Sequence, residues 1–442
     1  MAAALILGLL LASITGYVVW HSGHSRYVKA GLVGASGPEA QQEPGGGGGQ
    51  EPGGGPGQEP AGPGTDQNGD EMDGQTGQQA GREIDQQPGR EMDQQAGSGA
   101  DEENEGRQEA GKGADKGADG NGAETSLDQE EGPVRLVFAG DLLLSDHVLG
   151  AYGKTDTIES VVDSGFRQVI ESSDVFMANE EFPFSSRGTA AEDKQFTFRL
   201  PPERVSIFEE LGVDIVTLAN NHALDYGTDA LLDSCAALDE AGILHVGAGA
   251  DLDEAKKPAF MDVRGRKVGF LGASRVIPVG SWNATASGPG MLTTYDPALL
   301  LEEIGRAREM CDYLVVYVHW GIERDERPQE YQRKLGQQYI DAGADLVIGS
   351  HPHVLQGLEY YKGKPIVYSL GNFIFGSSIP RTALLTVDWD GQDPVLRLVP
   401  GTSSGGFTRA YTDEGDKNSF YQYITSISYG VNVGEGGLVT PD

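Results

Sequence analysis

Through the second half of the chain, short unbroken apolar runs alternate with stretches whose apolar positions repeat at helical spacing. Five of the runs stop at a residue with metal-ligand chemistry. Val134–Gly140 leads into Asp141, and Asp174–Ala178 into Asn179, Glu180 and Glu181. Asp214–Ala219 leads into Asn220, Asn221 and His222, Tyr313–Val318 into His319, and Asp345–Ser350 into His351-Pro352-His353. The runs predict strands, and Thr157–Glu171, Pro202–Leu211, Gly227–Ala241, Asp296–Glu309 and Gln329–Ala342 predict helices between them. Asp296-Pro297 is a helix start, with Asp as the cap and Pro at the first position. Further strands at Arg266–Ala273, Pro365–Tyr368, Ala383–Asp388 and Val395–Val399 add antiparallel character. The alternation predicts an α/β fold, one large domain with two sheets over residues 133–400. Ligands of open α/β sheets gather at the carboxyl ends of strands, where loops converge on one rim. Five endings of this kind argue for a site.

The pattern changes at both ends. Met1 to Trp20 carry no charge and are mostly Ala, Leu, Ile and Val, about the length a helix needs to cross ~30 Å of hydrocarbon. With Tyr17 and Trp20 at its end and no small-x-small cleavage site after it, the segment 1–21 is expected to be an uncleaved transmembrane anchor, with a cleaved signal peptide as the rival. Residues 31–132 are Gly, Pro, Gln, Glu and Asp with almost no aromatics, a composition that predicts disorder. An eight-residue repeat runs through it, as in Gln42–Gly49, Gln50–Gly57, Arg82–Gly89 and Arg90–Gly97. Its apolar content is too low for a stacked solenoid, so it reads as a spacer spanning roughly 50–60 Å as a random coil. The tail, residues 401–442, is Gly/Ser-rich, with a weak amphipathic patch at Phe420–Tyr429 expected to pack back on the domain or to be partly disordered.

Charge and cysteine content narrow the partners. The formal net charge of the 442 residues is −35, of which residues 1–132, with about 23 acids and 7 bases, carry about −16. The remainder is still acidic and holds no basic stripe to displace the counterions of a nucleic acid, so none is expected as partner. Cys235 and Cys311 cannot make a disulfide framework and are expected as two buried thiols, with a single bridge outside the cell as the rival.

The candidate chemistry sits at the strand ends. In His351-Pro352-His353 the imidazoles are two positions apart, so an extended backbone would turn both to one side. His319 follows an apolar strand, with Glu323 placed to orient its ring. Asn221 offers an oxygen ligand, and His222 a proton donor or phosphate stabiliser with Asp225 as its orienter. Asp141 and Glu181 supply the hard anionic oxygens a divalent ion takes beside neutral His. The expected metal set is therefore Asp141, Glu181, Asn221, His319, His351 and His353, for one or two ions of Mn, Zn or Fe, with His222 and Asp225 as catalytic candidates.

Phe138–Asp141, Asn179–Glu181, Asn220–Gly227, His319–Glu323, Gly349–His353 and Ser369–Phe375 together resemble the capsule-synthesis CapA family, in order, from about Val134 to Val399. The resemblance implies a calcineurin-like metallophosphatase fold, a two-sheet sandwich with helices outside (four layers, α/β/β/α). It also implies an anchored protein of the cell membrane with its globular domain extracellular, working in poly-γ-glutamate synthesis or export beside the membrane subunits of a polymer synthase. Asp141 then resembles the first-strand metal aspartate, Glu181 the bridging carboxylate, and Asn221 and His222 the Asn-His pair, while His319, His351 and His353 match the later histidines. Two departures stand out. Leu143 occupies the position where metallophosphoesterases place a His, and Glu180 one where the family is usually apolar. Three functions follow from this set: an accessory protein of polymer assembly, a metal-dependent hydrolase of a phosphoester or γ-glutamyl amide, and a non-catalytic binding subunit.

Overall fold

The strand Val134–Leu142 is buried along nearly its whole length because both of its faces are covered. Val137 and Ala139 face one apolar cluster with helical residues such as Phe166, Ile170, Phe208 and Leu231. Leu136 and Phe138 face a second, shared with Phe270, Val315, Tyr317 and Ile348 of another sheet. Alternate residues thus bury against helix and against sheet, which is why the run carries no polar alternation. The computed structural model describes residues 132–442; the expected anchor at 1–21 and the linker up to residue 131 lie outside the described residues. Among the described residues no helix is long and apolar enough to cross a membrane.

The first sheet is mixed. Val134–Leu142 pairs in parallel with Val175–Glu180, which continues in parallel through Ile215–Thr217 to Leu244–Val246. On its other side it pairs antiparallel with Ser378–Trp389, followed by Val395–Ser404. The second sheet places Tyr313–His319 between Arg266–Ser274 and Leu346–Ser350, all parallel, with antiparallel hairpins at both edges. A third cluster covers the outer face of this sheet with Leu300, Ile304 and Ala307 of the helix Ala298–Arg308 and Leu335, Tyr339 and Ile340 of Glu330–Ala342. The order is helices, sheet, sheet, helices.

Local signals explain the element ends. Asp296 Oδ1 accepts from the Ala298 N–H, opening the helix one residue inside the expected position. Gln329 and Gln332 form a reciprocal capping box ahead of Glu330–Ala342. Gly242, at φ 74°, closes the helix Thr228–Ala241 in the left-handed region. The expected helix over Thr157–Glu171 is broken into a short 3-10 turn and Ser164–Glu171, because Asp163 caps the latter by accepting from Phe166 N–H.

Beyond Pro400 the chain continues the architecture. Val395–Ser404 runs through that position, Leu438–Pro441 pairs with it, and Val431–Val433 adds the edge. The helix Glu414–Ile427 buries Phe420, Tyr421, Ile424 and Ile427 in the cluster between the sheets. Both cysteines are free thiols; Cys311 is buried as expected, whereas Cys235 is only half-buried, because the helix Thr228–Ala241 buries Leu231, Ser234 and Leu238 instead.

Candidate metal centre

The two sheets bring their strand ends to one rim. Asp141 is set there by a register break in the first strand, where its N–H turns to the Gly371 carbonyl at 2.8 Å. Gly140 permits that approach, since a Cβ there would lie 1.7 Å from Gly371 O. Parallel pairing of Tyr313–His319 with Leu346–Ser350 sets His319 beside Ser350, one residue before His351.

Asp141, Glu181, Asn221, His319, His351 and His353 converge. His351 Nδ1 lies 3.1 Å from His319 Nε2, which lies 2.7 Å from Asn221 Oδ1. Glu181 Oε1 is 3.7 Å from His353 Nε2 and 3.9 Å from His319 Nε2. His353 Nδ1 is 3.4 Å from Asp141 Oδ2. One donor atom each from Glu181, His351 and His353 falls within 4.8 Å of the others. Ligands held about 2.0–2.2 Å from one ion stand about 3–4 Å from each other, so these spacings fit a cation.

A second observation carries the same conclusion. Glu181 is fully buried, and neither of its carboxylate oxygens has a hydrogen-bond partner in the structure. A buried carboxylate without a donor is costly. Burial first, and then the neighbouring Asp141, push its pKa well above the carboxylate range. Burial, with the charge of neighbouring His353, lowers His351 to about 3 and also holds His319 well below its ordinary value, so both are neutral donors. Burial opposes charge on His353, but Glu181 and Asp141 outweigh it and raise that imidazole to about 10. The acids and the imidazoles of the site are thus mutually dependent, and a divalent ion fits the group of Glu181, His351 and His353, with Asp141, Asn221 and His319 around it.

Polar contacts behind the ligands fix their rings. His319 Nδ1 meets Ser350 Oγ at 2.9 Å, and His353 Nδ1 meets Asn372 Oδ1 at 2.8 Å, leaving each Nε2 toward the centre. Ser350, rather than the expected Glu323, is therefore the partner that orients His319. Asn179 donates to Asp141 Oδ1 at 2.9 Å and accepts from Asn220, which also donates to the Glu180 carbonyl. The histidine pair is presented differently from the expected extended geometry. His351 and His353 have φ of 96° and 58°, so a turn rather than strand alternation aims both rings. Glu180 points away from the centre, where its Oε1 accepts from Ser234 Oγ at 2.6 Å.

Beside this cluster, His222 Nδ1 lies 2.7 Å from Asp225 Oδ2. Phe198 N–H also donates to Asp225 Oδ2, and the Phe198 ring packs on the His222 imidazole at 4.5 Å between centroids. Lys194, which the sequence did not single out, joins them. Its Nζ donates to Asp225 Oδ1 and to the Asn221 carbonyl, and lies 3.0 Å from His222 Nδ1. It comes from an acidic, strandless segment, so no periodicity marks it. Asn179, Asn220, Ser350 and Asn372 each lie within a motif quoted above, and that membership was the available signal. Leu143 is buried in the helix-side core, so the position that would carry a further His ligand contributes packing instead.

The sequence is similar to those of known capsule-synthesis proteins. The capsule biosynthesis protein CapA of Bacillus anthracis is 33% identical over 311 residues, covering 67% of this chain and 74% of that protein. The PGA biosynthesis protein CapA of Bacillus subtilis (strain 168) is 34% identical over 261 residues, covering 57% of this chain and 68% of that protein. Among solved structures, a sulfate thiohydrolase, SoxB, is similar at a TM-score of 0.36 and 15% identity over 61% of this chain and 57% of that one, too distant to carry an inference. The model of the bacterial capsule synthesis protein PGA_cap matches residues 135–377, more than half of the chain, and the chain belongs to that family.

Proposed function

We propose that this chain is a membrane-anchored accessory protein of poly-γ-glutamate capsule synthesis or export, with its globular domain outside the cell and a divalent ion in the centre described above. The family and its capsule-synthesis relatives support the process. The uncharged segment Met1–Trp20 supports the anchor, and the long polar linker a domain held clear of the membrane beside synthase subunits. The observation that carries the site is Glu181, whose two buried oxygens have no hydrogen-bond partner and whose Oε1 lies 3.7 Å from His353 Nε2 and 3.9 Å from His319 Nε2.

Asp141, Glu181, Asn221, His319, His351 and His353 would hold the ion. When bound, the ion supplies positive charge that polymer carboxylates or a phosphorylated intermediate can approach. That local charge answers the repulsion between an acidic protein and an acidic polymer. Asn372 and Ser350 keep the rings of His353 and His319 aimed, and Asn179 orients Asp141. One observation favours a second function, metal-dependent hydrolysis of a phosphoester or γ-glutamyl amide. His222, held through Nδ1 by Asp225, keeps its other ring nitrogen for proton delivery to a leaving group.

The test is elemental analysis of the purified full chain beside a His351→Ala/His353→Ala variant. About one to two Mn or Zn ions per chain are expected, lost in the variant. A wild-type chain free of metal after incubation with Mn and Zn would remove the proposal. Phosphodiester and γ-glutamyl peptide assays with and without Mn then separate catalyst from binder.

A further inference from the structure

Arg275 follows the strand Arg266–Ser274 at the same rim as the metal centre. Its N–H donates to the His319 carbonyl at 2.8 Å, so its backbone adjoins a ligand. The side chain lies between two aromatic rings, with its guanidinium carbon 4.7 Å from the centroid of Tyr295 and 4.5 Å from that of Tyr331. Tyr331 is in turn tied to the site, accepting through its hydroxyl from Gly321 N–H two residues after His319. Tyr295 is 63% exposed. One nitrogen, Nη1, is spent on the Thr294 carbonyl at 2.9 Å and approaches Tyr295 O at 3.5 Å.

Among the described residues no carboxylate pairs with Arg275, although the chain carries 67 acids against 32 Lys and Arg. Several other arginines are taken up by carboxylates, as Arg264 is by Asp174 and Arg187 by Asp233, so their donors are not open in the same way. The two ring contacts and the Thr294 carbonyl restrain the guanidinium, and no carboxylate among the described residues takes up its remaining donors. A restrained fork loses less entropy on binding a carboxylate, and it matches one bidentately.

We infer that Arg275, clamped by Tyr295 and Tyr331, is a carboxylate subsite that holds a glutamyl side group of an anionic polymer whose neighbouring portion lies at the metal centre. This rests on the polymer proposed above, and it assigns substrate recognition to residues outside the ligand set.

Binding of a γ-linked glutamate oligomer to the full chain is measured by calorimetry, with bound metal determined on the same samples. Arg275→Gln is expected to weaken binding about 10- to 100-fold, the loss of a charge-assisted pair, with metal content unchanged. Arg275→Lys keeps charge without the fork and is expected to fall between. Tyr295→Ala, a change at an exposed position, is expected to cost about 2- to 5-fold. The oligomer with its carboxyls methyl-esterified is expected not to bind. Wild-type affinity in Arg275→Gln, or equal binding of the esterified oligomer, would overturn the subsite while leaving the metal centre standing; a metal-loaded wild type that binds no oligomer would overturn the polymer reading and the subsite with it. A wild type without metal, yet with the Arg275 effect intact, would overturn the metal centre and leave the subsite.

Discussion

Glu181→Gln tests the centre at its most exposed assumption. The substitution keeps shape and volume but removes the only fully buried carboxylate of the site whose oxygens lack any donor. At a metal concentration about 100 times Kd, binding to the native state alone adds about 2.7 kcal/mol to the wild type. For a domain of this size that is a rise in Tm of about 5 °C. If losing the carboxylate weakens the ion about 100-fold, the same concentration sits near the new Kd and adds only about 0.4 kcal/mol, a shift under about 1 °C. Scanning fluorimetry of both proteins, after chelation and then with Mn or Zn titrated in, reads the difference directly. A metal-induced shift of equal size in Glu181→Gln and wild type would refute the assignment, since a ligand cannot be dispensable to its own ion.

Other outcomes follow from the same contacts. Burial raises Glu180 well above its ordinary pKa, against the hydrogen bond from Ser234. A carboxyl with a raised folded pKa favours the native state fully below its unfolded pKa, and that advantage is lost as pH climbs toward the folded value. Glu180→Gln is therefore expected to stabilise the protein at pH 7–8 by about 1–3 kcal/mol and to flatten the decline of Tm above about pH 4.5; an unchanged pH profile of Tm would count against it. Gly140→Ala forces a Cβ toward Gly371 O, so thermal denaturation is expected to show a loss of about 1–3 kcal/mol. His222→Ala is expected to leave the metal stoichiometry intact, because His222 hydrogen-bonds Asp225 and packs on Phe198 rather than joining the ligand cluster, while abolishing any Mn-dependent hydrolysis found in the wild type.

The strand ends were legible because burial on two faces leaves a continuous apolar signal that stops abruptly at the rim. Asp141, His319 and His351 each follow such a stop. What lay between the strands was harder. Lys194 reaches Asp225 from a segment without periodicity, and its role depends on where the loop crosses Asn221. The geometry of His351 and His353 was also hidden, since two left-handed residues around Pro352 cannot be read from spacing. Tail strands such as Val431–Val433 are short, and their place follows from pairing with Leu438–Pro441, a contact between segments that composition does not report.

The closing segment has a practical corollary. Leu438–Pro441 masks the flank of Val395–Ser404, and Phe420, Tyr421 and Ile424 plug the end of the inter-sheet core. A chain cut short at Pro400 would bare both an unpaired ladder and an oily patch, inviting self-association. A shortened version of the domain should therefore keep Leu438–Pro441, and not stop at the point where local composition first turns polar.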